Sequence, residues 1–243
     1  MKMNLYECDF LVDYVDVDKN GKISDWGFFK HLQEIGCLHA DCLGYGLNDT
    51  FKTGLAWVLL DWKLQIFKRP VWKDKIHIRT WPSKTELACN FRDYEIYDET
   101  GNKLAIATSR WVLYDLNKRH IVKLTPDIVE RFAPCGISVF DSEIEKLPEP
   151  EDMDVTFEYT VLRRDIDSNS HVNNLNYINF AKEALPEDVY AIDFSSIDVM
   201  YKKQCLVGSQ IVGLYKKVSD DEHVVVIRSK DLTDLHAIVK FTK

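Results

Sequence analysis

No Cys-x-x-Cys pair occurs anywhere in the 243 residues, and the six cysteines, Cys8, Cys37, Cys42, Cys89, Cys135 and Cys205, do not cluster. Zinc-site and disulfide-framework spacings are therefore absent, and the expectation is of reduced, mostly buried thiols. Long apolar runs are missing as well. The opening stretch MKMNLYECDFLVDYVDVDKNGK holds no apolar segment of signal-peptide length, and nothing later approaches the ~20 residues that span a bilayer. The expected location is the cytoplasm, without membrane insertion. Positive charge is in deficit: 31 Lys+Arg against 39 Asp+Glu give a formal charge of -8. That balance argues against nucleic-acid binding, which needs a concentrated basic face to neutralise phosphates. Local basic pairs remain at Arg163-Arg164, Lys202-Lys203 and Lys216-Lys217 as candidate contacts for an acidic partner.

What is present is core-forming sequence, 46% hydrophobic, arranged as a repeat. YVDVDKNGKISDWGFFKHLQEIG and RRDIDSNSHVNNLNYINFAKEAL share D-x-D-x-N at one offset, 165 − 16 = 149, with no gap. Each copy leaves an alternating apolar run, crosses a turn rich in Asp, Asn, Ser and Gly, and continues at helical spacing. Trp26, Phe29, Leu32 and Gly36 form the first helical stripe; Leu175, Ile178, Ala181 and Leu185 form the second. Strand-like segments follow each helix, and DETGN at Asp98 to Asn102 reads as a hairpin turn. FKRPVWKDKIHI and YKKQCLVGSQIV share a rhythm that sets Lys68 against Lys202 and Pro70 against Gln204. A polar stretch with two prolines, ISVFDSEIEKLPEPEDMD, separates the halves. The expected organisation is a repeat over 1–135, a linker over 136–154 and a second repeat over 155–243. One helix per antiparallel sheet requires the sheet to wrap or stack on the helix, so each half is α+β.

Asp16, Asp18, Asn20 and Gly21 match the first half of an EF-hand loop, but the bidentate Glu of position 12 is replaced by Gly27 and the preceding segment reads as a strand. A capped turn is the better reading of the first copy. The second copy differs, because His171 stands where the first has Lys22, among Asn169, Asn173 and Asn174. A histidine at a strand-to-helix turn has its orientation and protonation set by its surroundings. If the strand stays extended, Asp167, Asn169 and His171 line one side of it.

With these residues in view, RRDIDSNSHVNNLNYINFAKEALP resembles the signature of the acyl-acyl carrier protein thioesterases of plant plastids and bacteria. LGYG at Leu43 to Gly46, GLAWVL at Gly54 to Leu59, RTWP at Arg79 to Pro82 and ATSRWVLYDL at Ala107 to Leu116 carry the resemblance through the first half. It implies a tandem (double) hotdog, each half an antiparallel sheet wrapped around a central helix. It implies hydrolysis of the thioester between a fatty acyl chain and the phosphopantetheine arm of acyl carrier protein, with no cofactor and no metal. The implied catalytic set is Asp167, Asn169, His171, Gln204 and Cys205, where Gln204 replaces the Glu of the plant enzymes. A glutamine orients water by hydrogen bonding but cannot take its proton. Trp57, Asn173, Asn174 and Tyr177 are the expected substrate contacts. Arg163, Arg164, Lys202 and Lys203 are the expected docking residues for the acidic carrier protein. An acyl-CoA thioesterase and a non-catalytic acyl-binding homologue are the alternatives, and monomer and homodimer are both open.

Overall fold

The computed structural model describes residues 4–243, which fall into two compact units, the first running to Ile144 and the second from Glu145 to Lys243. Among the described residues, no helix is long and apolar enough to cross a membrane.

In the first unit, β1 (Tyr6–Leu11) is followed by α1 (Asp25–Cys42) and α2 (Leu47–Thr53). Next come β2 (Leu55–Ile66), β3 (Lys75–Glu86), β4 (Cys89–Asp98), β5 (Lys103–Asp115), the short β6 (His120–Ile121) and α3 (Pro126–Phe132). The sheet runs β1-β3-β4-β5-β2, all pairs antiparallel, with β6 on β5. Ser24 caps α1 by accepting the Gly27 N–H. Phe28, Phe29, Leu32 and Ile35 are fully buried along one stripe. The sheet curls round this helix: His31 meets Phe10 of β1, Phe29 meets Trp62 of β2, and Gly36 lies over Tyr94 and Arg92 of β4. A Cβ at Gly36 would stand 3.1 Å from the Tyr94 hydroxyl, so a larger residue there would require Tyr94 to give way.

The second unit repeats this plan with β7 (Asp154–Thr160), α4 (Asn174–Glu183), α5 (Glu187–Tyr190), β8 (Ser196–Tyr201), β9 (Gln210–Lys217), β10 (Glu222–Ser229) and β11 (Leu235–Thr242). Its sheet runs β8-β11-β10-β9-β7, again antiparallel. Leu175, Ile178, Ala181 and Leu185 are buried, as their spacing predicts. Phe180 packs on Phe157 and Tyr159 of β7, and Tyr177 on Tyr201 of β8. Ala184 comes so close to β9 that a Cβ on Gly213 would lie 2.7 Å from its methyl.

One cysteine expectation needs correction. All six are unbridged, but only Cys205 is buried; Cys37 and Cys42 are exposed on α1. An 18-residue helix with one buried stripe necessarily turns its remaining positions to solvent.

Candidate active site

The D-x-D-x-N motif is a β-hairpin turn. Asp167 donates its N–H to the His171 carbonyl (2.9 Å), and Ser170 donates to the Asp167 carbonyl (3.1 Å). Ile166 and Val172 bridge antiparallel at the base. The Asp167 carboxylate accepts the Asn169 N–H at 2.8 Å, stapling the tip. This is a three-residue loop with its last residue in the left-handed region, and Ser170 sits there at φ 66°. The same bonds recur at Asp18–Lys22, with Gly21 at φ 74°, and at Asp98–Asn102, with Gly101 at φ 83°. The expectation that an extended strand carries Asp167, Asn169 and His171 along one side is therefore corrected. The chain folds back, and Asp167 and His171 stand opposite each other across the mouth of the turn while Asn169 sits exposed at its tip.

Two further sets of bonds fix this turn. The first is centred on buried Asp165, whose carboxylate accepts from the Leu162 N–H (2.7 Å) and the Tyr159 hydroxyl (3.0 Å). Its carbonyl accepts from the Asn173 N–H and the Asn176 amide. Asn173 in turn caps α4 by accepting the Leu175 N–H, and the Asn174 carbonyl accepts from the Tyr201 hydroxyl. The second set joins the turn to the loop after β8, where Val172 donates its N–H to the Cys205 carbonyl at 3.0 Å. Cys205 donates its own N–H to the Tyr177 hydroxyl at 3.1 Å. Asp165, Tyr159 and Tyr201 had no signal in the sequence beyond the repeat of Asp16 at Asp165, because their work is long-range.

His171 is half-buried, and its Nδ1 is enclosed without a hydrogen-bond partner. Gln204 is exposed, and its chain neighbour Cys205 is 1% exposed. Burial pushes the Cys205 thiol up to about 11, partly offset by its bond to the Tyr177 hydroxyl. The Tyr177 hydroxyl is itself raised, first by burial and then by Cys205. Tyr177 is thus sealed in the interior at 3% exposure, with its hydroxyl engaged by the loop. Arg163 and Arg164 are exposed on the turn preceding Asp165, and Lys202 and Lys203 are exposed at the end of β8, where Lys203 pairs with Asp234 at 2.6 Å. Trp57 belongs to the first unit. It packs edge-on against Phe132 beside Leu113, Leu124 and Ile128, with its indole N–H enclosed and unpaired.

The first unit builds the same frame around different chemistry. Ile23 donates to the Pro70 carbonyl as Val172 does to Cys205. That bond shifts the sequence alignment of the two loops by one residue: Pro70 corresponds to Cys205, Arg69 to Gln204, Lys68 to Lys203 and Phe67 to Lys202. Matching the basic pairs at face value had hidden the shift, since both registers keep the alternation. Lys22 then stands for His171, and Arg69 pairs with Asp25, the counterpart of Asn174, at 2.6 Å. An ion pair thus lies in the first unit where the second has two amides.

The model of the acyl-ACP thioesterase N-terminal domain matches residues 3–132, and that of the C-terminal domain matches residues 148–242. Oleoyl-acyl carrier protein thioesterase 1 of Arabidopsis thaliana is 29% identical over 224 residues, 82% of this chain and 60% of that protein. Dodecanoyl-[acyl-carrier-protein] hydrolase of Cinnamomum camphora is 26% identical over 84% of this chain and 57% of its own length. The chain spans about three-fifths of these curated relatives. An acyl-ACP thioesterase from Bacteroides thetaiotaomicron superposes with TM-score 0.88 at 21% identity, covering 98% of this chain and 97% of that one. The 12:0-ACP thioesterase from Umbellularia californica gives 0.86 at 22%, covering 100% and 98%. The shared fold is the tandem hotdog, an antiparallel sheet around a central helix in each half.

Proposed function

Because this chain belongs to the acyl-ACP thioesterase family, we propose that it is a cytoplasmic hydrolase that cleaves fatty acyl-acyl carrier protein to free fatty acid and carrier thiol. The observation that carries this reading is the docked hairpin of the second unit, which holds His171 opposite Asp167 and ties both to the Gln204-Cys205 loop through the Val172 bond.

In the proposed reaction, water attacks the thioester carbon while His171 takes its proton, and the same proton passes to the sulfur as the C–S bond breaks. Asp167, whose backbone pairs with that of His171 across the turn, is the proposed carboxylate of the site. Asn169, at the exposed tip, donates to the developing oxyanion. Gln204 orients the water, a task for which hydrogen bonding suffices. Cys205 and Tyr177 hold the loop. A thiol at about 11 leaves roughly one molecule in ten thousand as thiolate at pH 7, which favours water over a cysteine nucleophile. Asn173 caps the helix, and Asn174 and Trp57 are the proposed substrate contacts.

The test is thiol release from carrier protein loaded with saturated chains of several lengths, beside the matching acyl-CoA series. Preferential cleavage on the carrier is expected. Equal or better cleavage of acyl-CoA would move the assignment to an acyl-CoA thioesterase, and cleavage of neither would leave a non-catalytic acyl-binding protein.

A further inference from the structure

The duplicated turn contains its own control experiment. Leu162–Asp165 and Asp13–Asp16 form the same short helical turn with the same bonds: Asp165 N–H to the Leu162 carbonyl at 3.1 Å against 3.0 Å for Asp16 to Asp13, and carboxylate to backbone N–H at 2.7 Å against 3.0 Å. The backbone is common to both copies, so the exposed side chains on it are not dictated by folding. They differ systematically. Where the second unit has Arg163 and Arg164, the first has Tyr14 and Val15; where it has Lys202, the first has Phe67. In the first unit all three are exposed apolar residues, at 76%, 69% and 51%.

The basic residues of the second unit are also uncommitted. Arg163, Arg164 and Lys202 are exposed and make no ion pair among the described residues, whereas Lys203 is taken by Asp234. The same two segments also carry exposed aliphatic side chains. Leu162 is 42% exposed, and Leu206 and Val207 are 53% and 56% exposed. Their segments are stitched together by bonds from Gly208 to the Val161 carbonyl and from Val161 to the Ser209 carbonyl, both 2.9 Å. Immediately before Leu206 is Cys205, bonded to the hairpin of His171.

We infer that Leu162, Leu206 and Val207, with Arg163, Arg164 and Lys202 around them, form an amphipathic docking rim for an acidic protein surface that carries its own aliphatic patch. This rests on the acyl-carrier reading above and names the face on which the carrier lands. On a chain of charge -8, a local basic rim beside the site steers an acidic partner to it. A second copy of this chain is a poor occupant, because a two-fold contact would set each rim's cations against the other's. The expected docking set loses Lys203, which is already paired with Asp234, and gains three aliphatic residues.

The test compares the protein with its Arg163→Glu/Arg164→Glu and Leu206→Ser/Val207→Ser variants on acyl-carrier protein, on acyl-CoA and on an acyl-pantetheine that lacks the carrier. Carrier binding is measured separately by fluorescence anisotropy of labelled, unacylated carrier, so docking is read even if no thioester is cleaved. For both variants, carrier affinity and kcat/KM on acyl-carrier protein should fall about tenfold or more, mainly through KM. Turnover of acyl-pantetheine should be unchanged, and the salt dependence on the carrier should flatten for the charge variant. Unchanged carrier affinity would overturn the inference. So would a parallel fall on acyl-pantetheine, which would mean the site itself was disturbed, or an equal rise in KM for acyl-CoA, which would mean the cations read a phosphate.

Discussion

Ser170→Gly should make the protein more stable. Ser170 occupies the left-handed position of a hairpin turn at φ 66°, while the two turns of identical bonding have Gly21 at φ 74° and Gly101 at φ 83°. The left-handed region costs an L-residue about 1–2 kcal/mol through contact of Cβ with the following carbonyl. Glycine removes that cost but gives the unfolded chain more freedom, returning about 0.4–1 kcal/mol. The difference is a gain of about 0.5–1 kcal/mol, which for a chain of this size raises Tm by about 1–4 °C. Gly21→Ser in the first unit is the mirror test, since no atom lies within 4 Å of a Cβ built there and only the backbone term acts. It should destabilise by about the same amount. The assay is urea unfolding with thioesterase turnover measured on the same samples, and turnover of Ser170→Gly should stay within about twofold because the Asp167 and Asn169 bonds are kept. A loss of stability in Ser170→Gly, or Gly21→Ser without effect, would refute the claim that one backbone geometry governs both turns.

His171→Ala should leave the melting curve unchanged and lower kcat by about a hundredfold or more, the usual worth of a positioned acid-base group; unchanged turnover would remove His171 from the mechanism. Cys205→Ser should retain turnover within about tenfold, because the residue holds the loop through its backbone, with a stability loss of about 1 kcal/mol for the buried hydroxyl. A fall of several thousandfold would instead identify a nucleophile. His39 gives a pH test of the first unit. Burial and the neighbouring Arg92 guanidinium, which donates to its Nδ1 at 2.8 Å, lower its pKa to about 3. The folded state therefore keeps His39 neutral while the unfolded chain protonates it near pH 6.5, so its stabilising effect is present above that pH and is lost as pH falls towards 3. Urea midpoints should decline over this window, and His39→Gln should decline less steeply.

The hairpin at Asp98 to Asn102 and the buried stripe of the second helix were legible because their signals are local: turn chemistry within five residues and apolar periodicity within four; in the first helix Trp26 of the expected stripe is only half-buried, and Phe28 and Ile35 join Phe29 and Leu32 in the core instead. The repeat was legible because duplication leaves a constant offset. The alignment of Pro70 with Cys205 was not, since one inter-strand bond from Ile23 or Val172 decides it and alternation alone is satisfied by either register. Nor was the difference between Cys205, sealed in the core, and Cys37, exposed on a helix, which depends on what packs against each.

The sequence by itself determined the family, the two-fold repeat, the antiparallel sheet with one helix in each half, and the identity of the residues around His171, because composition, period and motif are properties of neighbours along the chain. Only the tertiary structure decided that Asp167 and His171 face each other across a turn, that Val172 joins them to Cys205, that Lys203 pairs with Asp234, and that the arginines of the turn in one unit and the apolar side chains at the same places in the other are all exposed. The Val172–Cys205 and Lys203–Asp234 contacts join residues on different segments, and such contacts exist only once burial of the helix has fixed where those segments run.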